Sequence, residues 1–334
     1  MQKALEMVQA YVQAGFVKIH LDASMRLGDD NPGRPLDLEL AARRTARLAR
    51  SAEESLAKAC PEGEARRIAP SQGSHGLRYV IGTEVPIPGG AQEHEDSLHV
   101  TRVEDARRTY EVTRAAFLEM GLDGAWERVI AIVVQPGVEF GDDFVQDYQP
   151  EAVQDLVRFA QGIELVYEAH STDYQKRENL RLLVRDGFAI LKVGPALTYA
   201  LREAIFALAM MENELFPEEE CSHLIETLDE AMRRDPQHWQ KHYHGTPEQQ
   251  AFARKYSLSD RIRYYWPAAQ VQVALERLMR NLGEKPLPLT LLRQFAPWQY
   301  DRIREGETEN SPQGIIRGRV GKVLEDYEYA CGSR

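Results

Sequence analysis

Five times along this chain an apolar run stops abruptly at a cluster of polar, chemically capable residues. The runs are Phe16–Ser24 (FVKIHLDAS), Tyr79–Pro86 (YVIGTEVP), Val129–Gly137 (VIAIVVQPG), Leu165–Gln175 (LVYEAHSTDYQ) and Phe188–Thr198 (FAILKVGPALT). Each is followed by a stretch with helical spacing. Continuous apolar runs alternating with amphipathic helices mark parallel strands buried on both faces. Polar residues gathered at the C-terminal ends of such strands are the pattern of an α/β-barrel active-site face.

The intervening text supplies the helices. Gln2–Ala14 is amphipathic and closes on Gly15, and a long helix from Asp37, a good N-cap, runs to Ala59. Thr101 and Glu104 form a capping-box pattern ahead of Val103–Met120. Further helices are expected over Pro150–Gln161, Gln175–Arg185 and Pro195–Glu214. From Phe216 onward no apolar strand run recurs, and the helical patterns are Glu219–Arg234, Pro247–Tyr256, Ser259–Leu282 and Gly318–Tyr329, with Leu287–Leu292 a helix entry. The organisation expected is a partial (β/α) barrel over residues 1–215 and a helical extension over 216–334 packed on it. A closed barrel needs eight β/α units in about 250 residues. Five are present, a deficit of about three units, or roughly 90 residues. An open doubly wound sheet of five strands would fit the count, but its Gly-rich first turn is missing.

With 52 acidic against 41 basic residues, the net charge of −11 disfavours a nucleic-acid partner, because neutralising phosphates needs a basic surface. No run reaches the ~20 apolar residues of a membrane span, and the N-terminal text reads as a helix rather than a signal peptide. Cys60, Cys221 and Cys331 are far apart and fit no metal-ligand spacing. A reduced, cytoplasmic protein is expected.

Six segments in fixed order carry a resemblance: KIHLDAS, YVIGTEVPIPGG, VIAIVVQPGVEF, VYEAHSTDYQ, AILKVGPALTYALREAIFAL and YSLSDRIRYYWP. Over essentially its whole length the chain resembles the Z-type, non-catalytic subunit of class II D-tagatose-1,6-bisphosphate aldolase, a family also labelled tagatose-6-phosphate kinase. The resemblance implies a (β/α)8 TIM-type barrel, incomplete at the N-terminus, with an all-helical C-terminal extension. It also implies a role: association with the catalytic Y-type subunit, which carries the zinc, in cleaving tagatose 1,6-bisphosphate during galactitol or amino-sugar breakdown. No cofactor is expected on this chain itself. The kinase label has no mechanical support, because no G-x-x-x-x-G-K-[ST] loop is present. Family members carry about three more β/α units ahead of the position of Met1, including a Gly-Gly-Asp-His strand end. A late start or a fragment is therefore expected.

The strand ends name the candidate residues. Resemblance to catalytic class II aldolases makes His170 a candidate zinc ligand, with Glu84 a possible second. Yet zinc needs three protein ligands, and the third strand offers Gln135, a poor one. The competing reading is a hydrogen-bonded network of His170 with Glu168. Alternation turns Lys18, His20, Asp22 and Ser24 to one side, where they could bind sugar hydroxyls or form a buried polar ladder with Glu84 and Lys192. Asp22, Glu84, His170 and Lys192 are thus the candidate catalytic set. Glu84, beside Thr83, is expected to pair with Lys192, whose acidic neighbours argue against a Schiff-base amine. The helix opening at Gly194 and Pro195 offers the amides of Ala196, Leu197 and Thr198 as a phosphate cradle, with His20, Ser171 and Asp173 completing a ligand-binding set. Arg202 and Glu203, one turn on, could instead lock this helix to a neighbour. In the extension, Arg261, Arg263 and Tyr264 are candidates for subunit contact, and Trp266 for packing onto the barrel.

Overall fold

A computed structural model describes residues 1–28, 30–31, 36–59, 76–82 and 100–332. Five short parallel strands, β1 (Lys18–His20), β2 (Arg78–Ile81), β3 (Val129–Val133), β6 (Val166–Ala169) and β7 (Ile190–Leu191), pair in chain order. Every expected strand is present and each is shorter than its apolar run. The strictly sequential order removes the doubly wound alternative, which needs a reversal of strand order within the sheet. A two-stranded antiparallel hairpin, β4 (Glu139–Phe140) with β5 (Val145–Gln146), follows the third parallel strand and has no counterpart in the sequence reading. Two-residue strands are too brief to show a period.

The helices of the barrel part are α1 (Gln2–Gln13), α2 (Leu38–Ala59), α3 (Val103–Glu119), α4 (Asp123–Trp126), α5 (Gln154–Ala160), α6 (Arg177–Arg185) and α7 (Pro195–Leu215). Those of the extension are α8 (Leu224–Arg234), α9 (Pro247–Tyr256), α10 (Ala269–Gly283), α11 (Leu289–Phe295), α12 (Pro297–Arg304) and α13 (Pro312–Ala330). Local chemistry explains several boundaries. The chain leaves α1 through Gly15 at φ +89°, and α2 begins where Asp37 Oδ1 accepts from the Leu40 amide at 2.9 Å. Thr246 and Gln249 cap α9 reciprocally. The capping box expected at Thr101 does not form. The Thr101 hydroxyl instead accepts from the Gln135 amide at 2.7 Å, because residues 100–101 pair with the chain beyond β3. The start of Pro150–Gln161 is a 3-10 turn before α5, and the expected helix Ser259–Leu282 divides into a 3-10 turn, Arg261–Tyr264, and α10.

The sheet buries both faces, and strand parity sorts the residues. Ile19, Tyr79, Ile81, Ile132, Tyr167 and Ala169 join the helix-facing core, while Val80, Ala131 and Val133 form a smaller cluster. Gly82, at φ +137°, ends β2 where a Cβ would lie 2.9 Å from Val133 Cβ, so only glycine lets the two strands approach so closely there.

A second core joins α7 (Ile205, Leu208, Met211) to Leu228, Leu278, Leu292 and Ile315 of the extension. The barrel's last helix therefore also serves as the spine of the helical extension. The final helix crosses both parts: Ile315 lies in the second core and Ala330 in the first. No helix among the described residues is long and apolar enough to cross a membrane.

Candidate functional site

Glu168 is the hub of the strand-end chemistry. On β6, Tyr167 points outward, its hydroxyl donating to Leu156 O at 2.7 Å, so alternation turns Glu168 inward. The Glu168 side chain is wholly buried, and four basic side chains converge on it. Lys18 Nζ lies 3.0 Å from Oε2, while His170 Nε2, His20 Nδ1 and Lys192 Nζ lie 3.0, 3.2 and 3.4 Å from Oε1. Lys192 Nζ is also 3.4 Å from His20 Nδ1.

These contacts measure the curvature of the sheet. Three strand spacings separate β1 from β6, about 14 Å if the sheet were flat. Side chains from the first strand, and from just past the last, nonetheless meet on one carboxylate. The fold is accordingly an α/β fold with a parallel, curled sheet, a half-barrel whose concave side gathers the strand ends.

Burial by itself would raise the Glu168 pKa, but hydrogen bonds from His170, His20 and Lys18 hold the carboxyl far below the usual carboxylate range. Glu168 is thus a fixed anion and an acceptor, unable to donate a proton near neutrality. The hydrogen-bonded network of His170 with Glu168 is observed, and Lys192 pairs with Glu168. Its expected partner Glu84, like Thr83, lies outside the described residues, as does Cys60. Asp22 is exposed, and its Oδ1 accepts from the Ser24 amide at 2.9 Å and the Ser24 hydroxyl at 2.5 Å, a local turn rather than a member of the cluster. Beyond β3, the Gln135 backbone is tied to Thr101.

The amides proposed for a phosphate are otherwise engaged. Asp173 Oδ1 accepts from the Gly194 and Ala196 amides, both at 2.8 Å, so α7 begins on a carboxylate supplied by the chain. Burial pushes the Asp173 pKa up, opposed by these two amide hydrogen bonds. Thr198 gives its hydroxyl to Asp260 Oδ2 at 2.6 Å, and its amide donates to Gly194 O. A phosphate here would meet two carboxylates. Ser171, at φ +53°, turns the chain between His170 and Asp173. Thr172 Oγ1 donates to Lys192 O at 2.7 Å, and the Tyr327 hydroxyl of α13 donates to Thr172 O at 2.9 Å. The last helix thereby braces the loop behind the cluster, a role for Tyr327 that no local motif announces.

The arginines of YSLSDRIRYYWP are largely turned inward. Arg261 is buried, and its amide donates to the Tyr243 hydroxyl and its Nη1 to His238 O. Arg263 Nη1 donates to the carbonyls of Ser259 and Asp260. Of the three residues expected at a subunit contact, only Tyr264 is exposed, stacked on His238 at 4.9 Å. Trp266 packs against the helical core rather than the barrel. The residue that matters most in this motif is Asp260, which holds Thr198 and Arg202 of α7. Glu203 pairs with Arg319 at 2.6 Å, so Arg202 and Glu203 do lock α7 to its neighbours.

Comparison with known proteins agrees with this architecture. Residues 1–332 match the family described as D-tagatose-1,6-bisphosphate aldolase subunit GatZ/KbaZ-like. The chain is 49% identical over 333 residues to the D-tagatose-1,6-bisphosphate aldolase subunit GatZ of Klebsiella pneumoniae subsp. pneumoniae, covering 100% of this chain and 75% of that protein. It is 50% identical over 331 residues to GatZ of Salmonella paratyphi B, covering 99% and 75%. A crystal structure described as a probable tagatose 6 phosphate kinase from Sinorhizobium meliloti 1021 superposes with a TM-score of 0.85 at 41% identity, covering 99% of this chain and 77% of that one. A sheet wound in chain order, a helical extension built on α7 and a match running unbroken from residue 1 to residue 332 lead to one assignment: this chain belongs to the GatZ/KbaZ-like family of D-tagatose-1,6-bisphosphate aldolase subunits.

Proposed function

We propose that this chain is an accessory, non-catalytic subunit of a tagatose-1,6-bisphosphate aldolase. It supports a catalytic Y-type subunit that carries the zinc and cleaves tagatose 1,6-bisphosphate to glycerone phosphate and glyceraldehyde 3-phosphate, in galactitol or amino-sugar breakdown in the cytoplasm. The observation that carries the reading is the family match along residues 1–332 at about half identity to GatZ subunits. The site supports it: the buried carboxylate is neutralised by lysines and held ionised, and the helix start suited to a phosphate is capped by Asp173.

The physical mechanism is binding linkage: a partner that binds only the folded catalytic subunit raises its stability in proportion to the logarithm of its concentration over Kd. At 100-fold Kd that is about 2.7 kcal/mol. Thermal melting of the catalytic subunit with and without this chain tests it. An upward, concentration-dependent shift is expected, and an unchanged midpoint at saturating chain refutes it. The rival reading is a metal-dependent lyase in its own right, favoured by the two histidines beside Glu168. It predicts turnover of tagatose 1,6-bisphosphate by the chain alone.

A further inference from the structure

His20, Glu168 and His170 bring one donor atom each close together, with both imidazole nitrogens converging on Glu168 Oε1. Oε1 of Glu168 is 3.0 Å from His170 Nε2 and 3.2 Å from His20 Nδ1, and all three donors lie within 4.8 Å of one another. A tetrahedral zinc with bonds of about 2.0–2.1 Å sets neighbouring ligand atoms about 3.3 Å apart. Two of the three edges already match that figure to within a few tenths of an ångström. The rings of His20 and His170 meet edge to face at 79°, with centroids 5.5 Å apart, so the pair is angled rather than stacked.

The frame is stiff where a site should be. Glu168 is on a strand inside the sheet, and His170 follows directly on that strand before the Ser171 turn. The competitors are the more exposed members. Lys18 and Lys192 have side chains 40% and 44% exposed, and their long stems let the ammonium swing into water without disturbing the strands. Two imidazoles and one carboxylate form a donor set suited to a borderline divalent cation, with a fourth position open.

We propose that His20, Glu168 and His170 form a binding site for a zinc-class divalent cation, in competition with the ammonium groups of Lys18 and Lys192 for the Glu168 carboxylate. This goes beyond the accessory-subunit reading, since it concerns a metal on this chain and not the zinc of its partner. Zinc binds with displacement of the two lysines and of the protons that His170 Nε2 and His20 Nδ1 donate to Glu168, which leave to solvent or to the other ring nitrogen, and the variants separate in sign. His20→Ala and His170→Ala each weaken zinc at least tenfold. Lys18→Met, which removes a competitor and leaves all three donors, tightens it several-fold.

The experiment is a titration of the full chain with zinc chloride against a chromophoric chelator, with parallel manganese and magnesium arms. Circular dichroism checks the fold of each variant. One zinc per chain, lost in the His20→Ala/His170→Ala double variant and tightened in Lys18→Met, is the expected result, with magnesium far weaker. Zinc binding that is absent, or equal in the wild type and the double variant, overturns the site. Weakening in Lys18→Met overturns the competition. No sugar phosphate or catalytic subunit enters this titration, so its failure leaves the accessory reading standing. Turnover by the zinc-loaded chain alone would overturn that reading and leave the site intact.

Discussion

Replacing Arg202 with Met should unfasten the half-barrel from its helical extension more effectively than any surface change. Arg202 Nε donates to Asp260 Oδ1 at 2.8 Å, and the two side chains are 3% and 0% exposed. Methionine keeps much of the volume against Tyr199 and Phe206, whose rings lie under the guanidinium at 3.8 and 5.4 Å. The charge, however, disappears, and among the described residues Asp260 keeps the Thr198 hydroxyl as its side-chain donor. Breaking a buried pair in this way costs about 3–5 kcal/mol. Protonation sets a ceiling: lifting a carboxyl from about 3.9 to 7 corresponds to about 4 kcal/mol at 1.36 kcal/mol per unit. About 3–4 kcal/mol at pH 7 is therefore expected. Burial already pushes the Asp260 pKa up, against the pull of Arg202 and Thr198. A raised folded-state pKa means that the penalty grows as pH rises through it and fades below it, so the loss should be smaller at pH 5 than at pH 7.5. Adding Asp260→Asn, a residue that tolerates the left-handed backbone found there at φ +49°, should restore part of the stability. Urea unfolding followed by tryptophan fluorescence is a suitable assay, because Trp239, Trp266 and Trp298 all lie in the extension. A cost below about 1 kcal/mol, or a double variant as unstable as the sum of the two singles, would refute the account.

Other expectations follow from single contacts. Asp173→Ala should cost about 1–2 kcal/mol by uncapping α7; inorganic phosphate should then stabilise the variant and not the wild type, and an equal effect on both would show that the cap does not exclude the anion. Tyr327→Phe should lose about 1 kcal/mol and speed amide exchange over residues 170–175, and unchanged exchange would remove the brace from α13. The hydrogen bond from Arg44 holds Asp30 at about 2. Its contribution is present above the unfolded carboxyl range and is lost as pH falls toward 2, so Arg44→Gln should flatten acid unfolding between about pH 4 and 2, read by circular dichroism.

Much of this fold was legible because its signals are local. The apolar runs announced five parallel strands, and Gly15, Asp37 and Pro195 marked helix boundaries where caps and backbone preferences act over a few residues. The parity of Lys18 and His20 was also readable, since side chains alternate on any strand. The hairpin Glu139–Gln146 was not, and Thr101 was misread, because its hydroxyl serves Gln135 in a pairing that depends on another segment. Asp173 and Thr198 looked like parts of a phosphate cradle until the side chains closed on it.

What the sequence determined alone is thus the order of the parallel strands and of most helices, and with them a family. Tertiary structure alone decided which polar residues share a pocket. Lys18 and Glu168 are 150 positions apart, and His20 and Lys192 172 apart. No local preference encodes such meetings. They exist because the strands twist and curl, bringing one edge of the sheet round toward the other, and because a carboxylate forced inside that curve must gather counter-charge from whichever strands reach it.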